Sequence, residues 1–384
     1  MKKENYNVAV VGATGAVGEE MREVLEERLF PIGELRLLAS ERSAGQVLKF
    51  GKKKICVEIL RENSFKDIDI ALFAAGGAVS AKFAPMAVDQ GAVVIDNTAQ
   101  FRMEPEVPLV VPEVNPQEIA HHVRRGIVAN PNCSTIQLVV ALKPIHDVAH
   151  IRRVVVSSYQ SVSGAGRSGI NELSQQSVAL FNGGELKRAK FPHQIAFNCI
   201  PHIDTFLESG YTKEEMKMVN ETRKILGDSS VRITATAVRV PVFCSHSEAV
   251  NIETEKKLAV AEVKAILRDA PGILLCDDPE ENIYPMAVDA VGKDAILVGR
   301  IREDDSIPNG INLWIVADNL RKGAALNAVQ IAEILIRGYL EIIRKPSGLP
   351  RVQNRWGSKG EIGSSSLWST TGFEPLGRYN LIIR

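Results

Sequence analysis

Paired cysteines are absent from this sequence. Its five cysteines, Cys56, Cys133, Cys199, Cys244 and Cys276, are odd in number, scattered over 384 residues and form no CxxC pair. That excludes a disulfide framework and a zinc knuckle, so reduced thiols and no metal are expected. Net charge is absent too. With 46 basic against 46 acidic residues, nothing in the overall balance calls for nucleic acid or an anionic membrane surface, and local charges must carry any anion binding. No apolar run reaches the roughly 18 to 20 residues that span a bilayer, and no internal repeat occurs. The first strand begins within a few residues of Met1, which leaves no room for a secretory signal, so a cytoplasmic location is expected. What remains is an ordinary globular composition, 45% hydrophobic and 24% charged, with a length that suggests two domains.

The chemistry begins early in the chain. Asn7 to Val11 reads as a short buried strand that runs into Gly12, Ala13, Thr14, Gly15, Ala16, Val17 and Gly18, followed by a helical stretch from Glu19 to Leu29. Between strand and helix, GxxGxxG spacing makes a dinucleotide fingerprint. The glycines permit a tight turn, let the backbone approach a pyrophosphate and pack helix close on strand, while the helix start supplies N–H donors. A second strand, Leu35 to Ala39, ends at Ser40-Glu41-Arg42-Ser43. Ser40, Arg42 and Ser43 suit the 2′-phosphate of NADP, whereas Glu41 would repel it if it pointed inward; NADP is the expected cofactor. The strand Ile70 to Ala74 closes on Ala75-Gly76-Gly77, and Val93 to Asp96 leads into a loop that carries Arg102. Strands alternating with helical segments predict a parallel sheet covered on both faces. Arg102 lies on the edge where such sheets bind ligands, although a solvated loop charge is an equal reading.

In Asn130-Pro131-Asn132-Cys133-Ser134-Thr135 a thiol stands where a turn meets an apolar helical stretch, Ile136 to Ala141. Asn132 or Ser134 can cap that helix, and the unpaired N–H groups at its start favour thiolate. A small buried hydrophobe is the alternative, and it suits the other four cysteines better. The β-branched strand Ile151 to Ser157 then runs toward Gln160, Ser163, Gly164 and Gly166. Two close glycines suggest backbone approaching a ligand. Gln160 offers a neutral hydrogen-bonding group there, or pairs with its own loop. Thr212 caps a helix holding Glu214, Lys217 and Glu221, and the three-residue spacing of the first two reads as a surface ion pair. Arg239 ends the strand Val231 to Val240, and His246 begins the next, so the two flank one short connection. An arginine ending an apolar strand must reach water or bind an anion. The strand Ile311 to Val316 enters Asp318-Asn319 and then a long helix, Ala324 to Ile343, apolar enough to pack back on the first domain. Residues 346–384, rich in Ser, Gly and Pro, read as an irregular tail.

Taken in order, these segments resemble the bacterial aspartate-semialdehyde dehydrogenases over residues 5 to 345. That family's nucleotide loop looks like Gly12 to Gly18, its Asn-Cys-Ser like Asn132-Cys133-Ser134, and its Gln-Ser-Val-Ser-Gly like Gln160 to Gly164. Its Glu-x-x-Lys helix is similar to Glu214 to Lys217, its Arg and His to Arg239 and His246, and its phosphate loop to Phe101-Arg102-Met103. The tail matches no motif of the family. The resemblance implies an α/β fold: a Rossmann-type NADP-binding domain over residues 1–132, completed by the C-terminal helix 318–345, and an α+β catalytic and dimerisation domain over 133–317. It implies NADPH-dependent reductive dephosphorylation of L-aspartyl-4-phosphate to L-aspartate 4-semialdehyde through a thioacyl group on Cys133, in lysine, threonine, methionine and diaminopimelate biosynthesis.

Each residue then acquires an expected task. His246 serves as general base and acid, and Gln160 orients the substrate beside the thiol. Arg239 grips the substrate carboxylate and Glu214 faces its ammonium, while Arg102, Lys217 and Asn132 hold phosphate. Ala75, Gly76, Ser163, Gly164 and Asn319 join the glycine loop and Ser40, Arg42 and Ser43 around the cofactor, with Asp318-Asn319 closing over the nicotinamide. The implied partners are a small-molecule substrate, inorganic phosphate and a second copy of the chain, as a homodimer or dimer of dimers. An N-acetyl-glutamyl-phosphate reductase-type enzyme shares the cysteine chemistry, but an acetylated amine gives Glu214 nothing to face. Glu214 likewise argues against a purely anionic sugar phosphate, the substrate of a glyceraldehyde-phosphate dehydrogenase. A non-catalytic nucleotide-binding protein would leave Cys133, Gln160, Arg239 and His246 without a joint purpose.

Overall fold

A strand buried on both faces needs apolar residues at nearly every position, and the first strand has them: β1 (Tyr6–Val11) is inaccessible at Ala9, Val10 and Val11. The computed structural model describes residues 3–340; the tail expected over 346–384 and the expected end of the last helix at Ile343 lie outside them. From β1 the chain continues through α1 (Ala16–Glu27), β2 (Ile32–Ala39), β3 (Val47–Phe50), β4 (Lys53–Ile59), β5 (Ile70–Phe73), α2 (Gly77–Asp89), β6 (Val93–Asp96) and β7 (Ile127–Ala129). These strands form one sheet in the order β3-β4-β2-β1-β5-β6-β7, parallel except for the β3–β4 hairpin. The chain works outward from β1 through β2, then returns to the other side of β1 with β5. That reversal opens a crevice at the carboxyl ends of β1 and β5, where open α/β sheets bind ligands.

The second half contains α3 (Cys133–Ala149), β8 (Ile151–Gln160), α4 (Arg167–Phe181), α5 (Lys213–Leu226), β9 (Arg232–Arg239), β10 (His246–Thr254), α6 (Val260–Arg268), β11 (Ile273–Leu275), α7 (Ala287–Ala290), β12 (Ile296–Asp304), β13 (Gly310–Ala317) and α8 (Leu326–Ile334). Its strands make a mixed sheet, β11-β12-β13-β10-β8-β9, in which β10 runs antiparallel to both neighbours. Alternation along β1 divides the core. Val8 and Val10 face α1 and α8, packing with Met21, Leu25, Val329 and Ile331; Ala9 and Val11 face the opposite cluster, which α3 shares with the second sheet. Helix α3 is buried continuously from Ser134 to Leu142. A helix apolar on all sides is one clamped between two layers, and this is why Ile136 to Ala141 carries no polar stripe.

The boundaries differ from the sequence expectations in instructive places. Helix α1 begins at Ala16, not Glu19, because Gly15 is its N-cap and the last residues of the fingerprint are already helical. β2 begins at Ile32 instead of Leu35, and β5 ends at Phe73. β8 continues to Gln160, which makes Ser158 and Gln160 strand residues. The last helix starts before Ala324, with a π-helical turn over Arg321–Ala325. Among the described residues no helix is long and apolar enough to cross a membrane.

Candidate active site

The two sheets present their ligand-bearing ends to one cavity of about 740 Å³, lined among others by Gly15, Asn97, Cys133, Gln160, Arg239 and Asn319. On the first-sheet side lies the glycine loop. Gly12 has φ +86°, and a Cβ there would sit 2.9 Å from the Ala74 carbonyl group. A Cβ on Gly18 would lie 2.2 Å from Gly12 O, so glycine alone lets α1 start this close to β1. The N–H groups of Ala16, Val17 and Gly18 precede the first intrahelical bond, from Glu19 N–H to Gly15 O at 2.9 Å, and remain for a ligand. This cradle fits a dinucleotide. Ser163, Gly164 and Asn319 line the same cavity, whereas Ser40, Arg42, Ser43, Ala75 and Gly76 do not. Ser40, Glu41 and Arg42 are exposed at the end of β2, and Ser43 is tied to the loop by the Thr14 hydroxyl at 3.3 Å.

Cys133 is the first residue of α3. Asn132, not Ser134, caps the helix, its Oδ1 accepting from Ser134 N–H (3.0 Å) and Thr135 N–H (3.3 Å). The remaining Asn132 groups look toward α5: its N–H donates to Glu221 (2.7 Å) and its Nδ2 to Glu214 (2.9 Å). Glu214 also accepts from Gln160 Nε2 (3.2 Å) and Lys217 Nζ (3.1 Å), and is only 6% exposed. The expected surface ion pair is therefore a part-buried one, with Glu214 inside and Lys217 at the cavity edge. α5 packs against both β9 and α3, and that docking, invisible to helical periodicity, turns the Glu214 face inward. Burial pushes the Glu214 carboxyl up, but the Lys217 ammonium and the Asn132, Lys217 and Gln160 donors more than offset it, leaving the group below its ordinary value and ionised.

Arg102 is likewise not a solvated loop charge. It is buried, pairing with Glu221 at 3.0 Å and donating to the Asn130 (2.9 Å) and Asn97 (2.8 Å) carbonyls. A guanidinium has five N–H groups, so two remain for a cavity anion. Lys217, the second expected phosphate group, also pairs with Asp204 at 2.7 Å. Sequence reasoning assigned no role to Glu221 or Asp204, although Glu221 stands two helical turns from Glu214 on the same face of α5. Arg239 donates to Ser161 O at 2.7 Å, beneath the Phe191 ring at 6.0 Å.

His246 lies behind Gly164. A Cβ on that glycine would come within 3.2 Å of His246 Nε2 and 2.9 Å of Arg239 Nη1; the imidazole is fully buried and does not itself line the cavity, from which only a residue with no side chain separates it. Ser161 N–H donates to His246 Nδ1 at 3.0 Å, which puts the proton of the neutral ring on Nε2. Burial, then the Arg239 guanidinium, push the imidazole down to about 3, opposed weakly by the Ser245 backbone. Asn319 Oδ1 collects Ser161 Oγ (3.1 Å), Ser163 Oγ (2.9 Å) and Ser245 N–H (3.0 Å), fastening this loop to the end of β13.

The thiol departs from the helix-start expectation. Cys133 is half-buried in the cavity wall, and burial followed by the Glu214 carboxylate pushes the thiol up to about 12. Arg102, Arg239 and the Ser134 N–H pull the other way and lose. The thiol is therefore held protonated, because burial first and the Glu214 carboxylate second outweigh the two guanidinium groups and the helix-start N–H. A second cluster of imidazoles, His146 and His150 with Asp228, lies at the far end of α3. There Ile151 N–H donates to His146 Nδ1 at 3.2 Å, so Nε2 carries a proton toward Asp228 and is not free to ligate a metal.

Residues 7–122 match the family described as semialdehyde dehydrogenase, NAD binding domain, and residues 142–322 the semialdehyde dehydrogenase dimerisation domain. An aspartate-semialdehyde dehydrogenase of Aquifex aeolicus is 57% identical over 334 residues, spanning 86% of this chain and 98% of that protein. One from Bacillus subtilis is 51% identical over 337 residues, spanning 86% and 97%. Among solved structures, aspartate semialdehyde dehydrogenase II of Vibrio cholerae complexed with ASA matches with a TM-score of 0.86 at 55% identity, covering 88% of this chain and 100% of that one. The Candida albicans enzyme with NADP matches with a TM-score of 0.66 at 26% identity, covering 86% and 98%.

Proposed function

The chain belongs to the aspartate-semialdehyde dehydrogenase family, a group of phosphorylating aldehyde dehydrogenases with a nicotinamide cofactor, and from that premise we propose that it reduces L-aspartyl-4-phosphate to L-aspartate 4-semialdehyde with NADPH as a cytoplasmic homodimer. One observation carries the substrate reading: Glu214 and Arg239, a buried anion and a buried cation, line the same cavity as the Cys133 thiol. A small substrate bearing both an ammonium and a carboxylate satisfies the two charges at once. Residues 1–132 with the helix from 318 form the cofactor side of this machine, and residues 133–317 the catalytic and pairing side. Its product then feeds lysine, threonine, methionine and diaminopimelate synthesis.

In this reading Cys133 sulfur attacks the acyl carbon, the bond from that carbon to the phosphate oxygen breaks, and phosphate leaves against the two spare N–H groups of Arg102, the Lys217 ammonium and the Asn132 amide. Gln160, held by Glu214 and by Ser158 Oγ at 3.3 Å, keeps the acyl group beside the sulfur. A nicotinamide held there would supply the hydride that brings the thioacyl carbon to the aldehyde level; the carbon–sulfur bond then breaks, releasing the aldehyde and the Cys133 sulfur. His246 directs its Nε2–H at the oxygen of the tetrahedral adduct, a neutral imidazole acting as donor; the proton-accepting half of its expected role needs a ring whose proton has moved to Nδ1. Substrate ammonium beside Glu214 offsets the charge that holds the thiol protonated, so binding itself favours thiolate.

Substrate choice tests this directly. With NADP and phosphate, aspartate semialdehyde is expected to turn over at least about 100-fold faster, as kcat/KM, than an N-acetylated semialdehyde, since the latter buries the Glu214 carboxylate without a partner; a preference for the acetylated compound overturns the assignment. Cofactor choice has its own test. Arg42 is exposed at the end of β2, leaving it available to a 2′-phosphate. Arg42→Ala should raise Kd for NADP about 10- to 100-fold, the effect of one lost charge-assisted contact, and leave Kd for NAD unchanged. Equal effects on both would remove Arg42 from the 2′-phosphate site.

A further inference from the structure

On the helix-facing side of the second sheet lies a carboxyl group for which the chemistry above has no use. Glu248 is completely buried. It follows His246 by two residues on β10, so both side chains leave the strand on the same face. Its cross-strand neighbours are Ser158 on β8 and Ile315 on β13, and Ser158 is the residue whose hydroxyl holds Gln160. From α3 it is met by Gln137, one helical turn beyond Cys133 on the same side of that helix. Neither oxygen of Glu248 and neither polar atom of the Gln137 side chain has a hydrogen-bond partner, which leaves two complementary groups unpaired in the core. Its cross-strand neighbours on β8 and β13 carry no charge, and among the described residues no charged group acts on it. Burial therefore holds the carboxyl well above its ordinary range, only partly offset by Gln137.

An un-ionised carboxyl and a primary amide are complementary. The acid O–H suits the amide oxygen, and an amide N–H suits the acid carbonyl, whereas a carboxylate would offer acceptors only and set one of them against the amide oxygen. We propose that Glu248 and Gln137 are a positioning pair, an acid–amide tie that holds the strand beginning at His246 against the helix beginning at Cys133 and so fixes the separation of thiol and imidazole. The proposal rests on the reading of Cys133 and His246 as the reacting groups. Neither Glu248 nor Gln137 touches the substrate; both act one layer below it.

The test compares Glu248→Leu, Glu248→Gln and Gln137→Leu in the full-length enzyme, with circular dichroism and melting to confirm folding. Glu248→Leu should lower kcat about tenfold or more with KM for aspartate semialdehyde within about threefold, as loss of one buried tie would. Glu248→Gln should recover most of that kcat, because two amides can make the same reciprocal bonds without titrating. It should also abolish the alkaline fall in kcat that ionisation of Glu248 produces in the parent. Gln137→Leu should match Glu248→Leu, and the double variant should be no worse than either single one. A folded Glu248→Leu with parental kcat overturns the tie, as does a Glu248→Gln that keeps the parent's alkaline limb or falls as far as the leucine variant. If Glu248→Leu fails to fold, the alkaline limb of Glu248→Gln and the kcat of Gln137→Leu decide alone. Turnover in an enzyme lacking Cys133 would instead sink the reading beneath the proposal, and is measured separately.

Discussion

Cys133→Ala is expected to lower NADP reduction by aspartate semialdehyde and phosphate at least about 10⁴-fold, the scale of losing a covalent nucleophile, while Kd for NADP stays within about twofold of the parent. The contrast between the two readouts follows from how the site is built. Alanine is a good helix former, and the helix start is held by Asn132 through Ser134 and Thr135, not by the thiol. Alanine keeps the Cβ that packs against Gly323, where an added Cβ would come within 3.0 Å of it, so the substitution removes the sulfur alone and adds no contact. The dinucleotide cradle stands on β1 and α1, elements whose packing partners come from α8 and the first sheet. Stopped-flow reduction assays and fluorescence titration with NADP separate the two effects. Retained turnover would end the thioacyl mechanism; lost NADP binding would show that the thiol supports the cradle and not only the chemistry.

Much of this architecture is written locally. The glycine loop is legible because its demand is steric: Gly12 must take φ +86° and Gly18 must admit a carbonyl where a side chain would stand, and no tertiary information is needed to see that. α3 is legible as a buried helix because a helix lacking a polar stripe can only be covered on all sides. Arg239 and His246 are legible as partners because a single connection joins their strands. The β3–β4 hairpin is less so, since it pairs Lys49 with Lys54 and Phe50 with Lys53 and shows no clean alternation. Charges are where local reading fails. Glu214 and Lys217 have the spacing of a surface pair, and only the packing of α5 on α3 and β9 buries Glu214 and draws Lys217 partly inward. Asn319 reaches Ser161 across 158 residues of chain, a contact that no spacing rule contains. The thiol shows the same limit most sharply: a helix N-terminus argues for thiolate, yet burial in the folded site, and after it a carboxylate delivered from another helix, reverse the sign.

That reversal makes Glu214→Gln the more searching experiment, because two of its effects run in opposite directions. Turnover should fall, with kcat/KM for aspartate semialdehyde reduced about 100-fold or more, since the substrate ammonium loses a buried counter-charge. Thiol reactivity in the absence of substrate should rise. The Glu214 carboxylate stands second to burial among the influences that push Cys133 up to about 12, so its removal lets Arg102 and Arg239 pull the thiol down. Each unit of that fall gives about ten times more thiolate at a fixed pH below it. Iodoacetamide alkylation of the free enzyme at pH 7 to 8 should therefore be faster in the variant than in the parent, with the pH at which the rate levels off moved to lower values. A glutamine keeps an acceptor for Asn132 and Gln160, although its amide nitrogen can meet Lys217 in place of a carboxylate oxygen, so some loosening of Lys217 is expected. Loosening alone would slow turnover but would not speed alkylation. If both fall together, Glu214 holds the site's shape and nothing more; if alkylation rises as turnover falls, the same carboxylate recognises the substrate's amine and keeps the thiol protonated until that amine arrives.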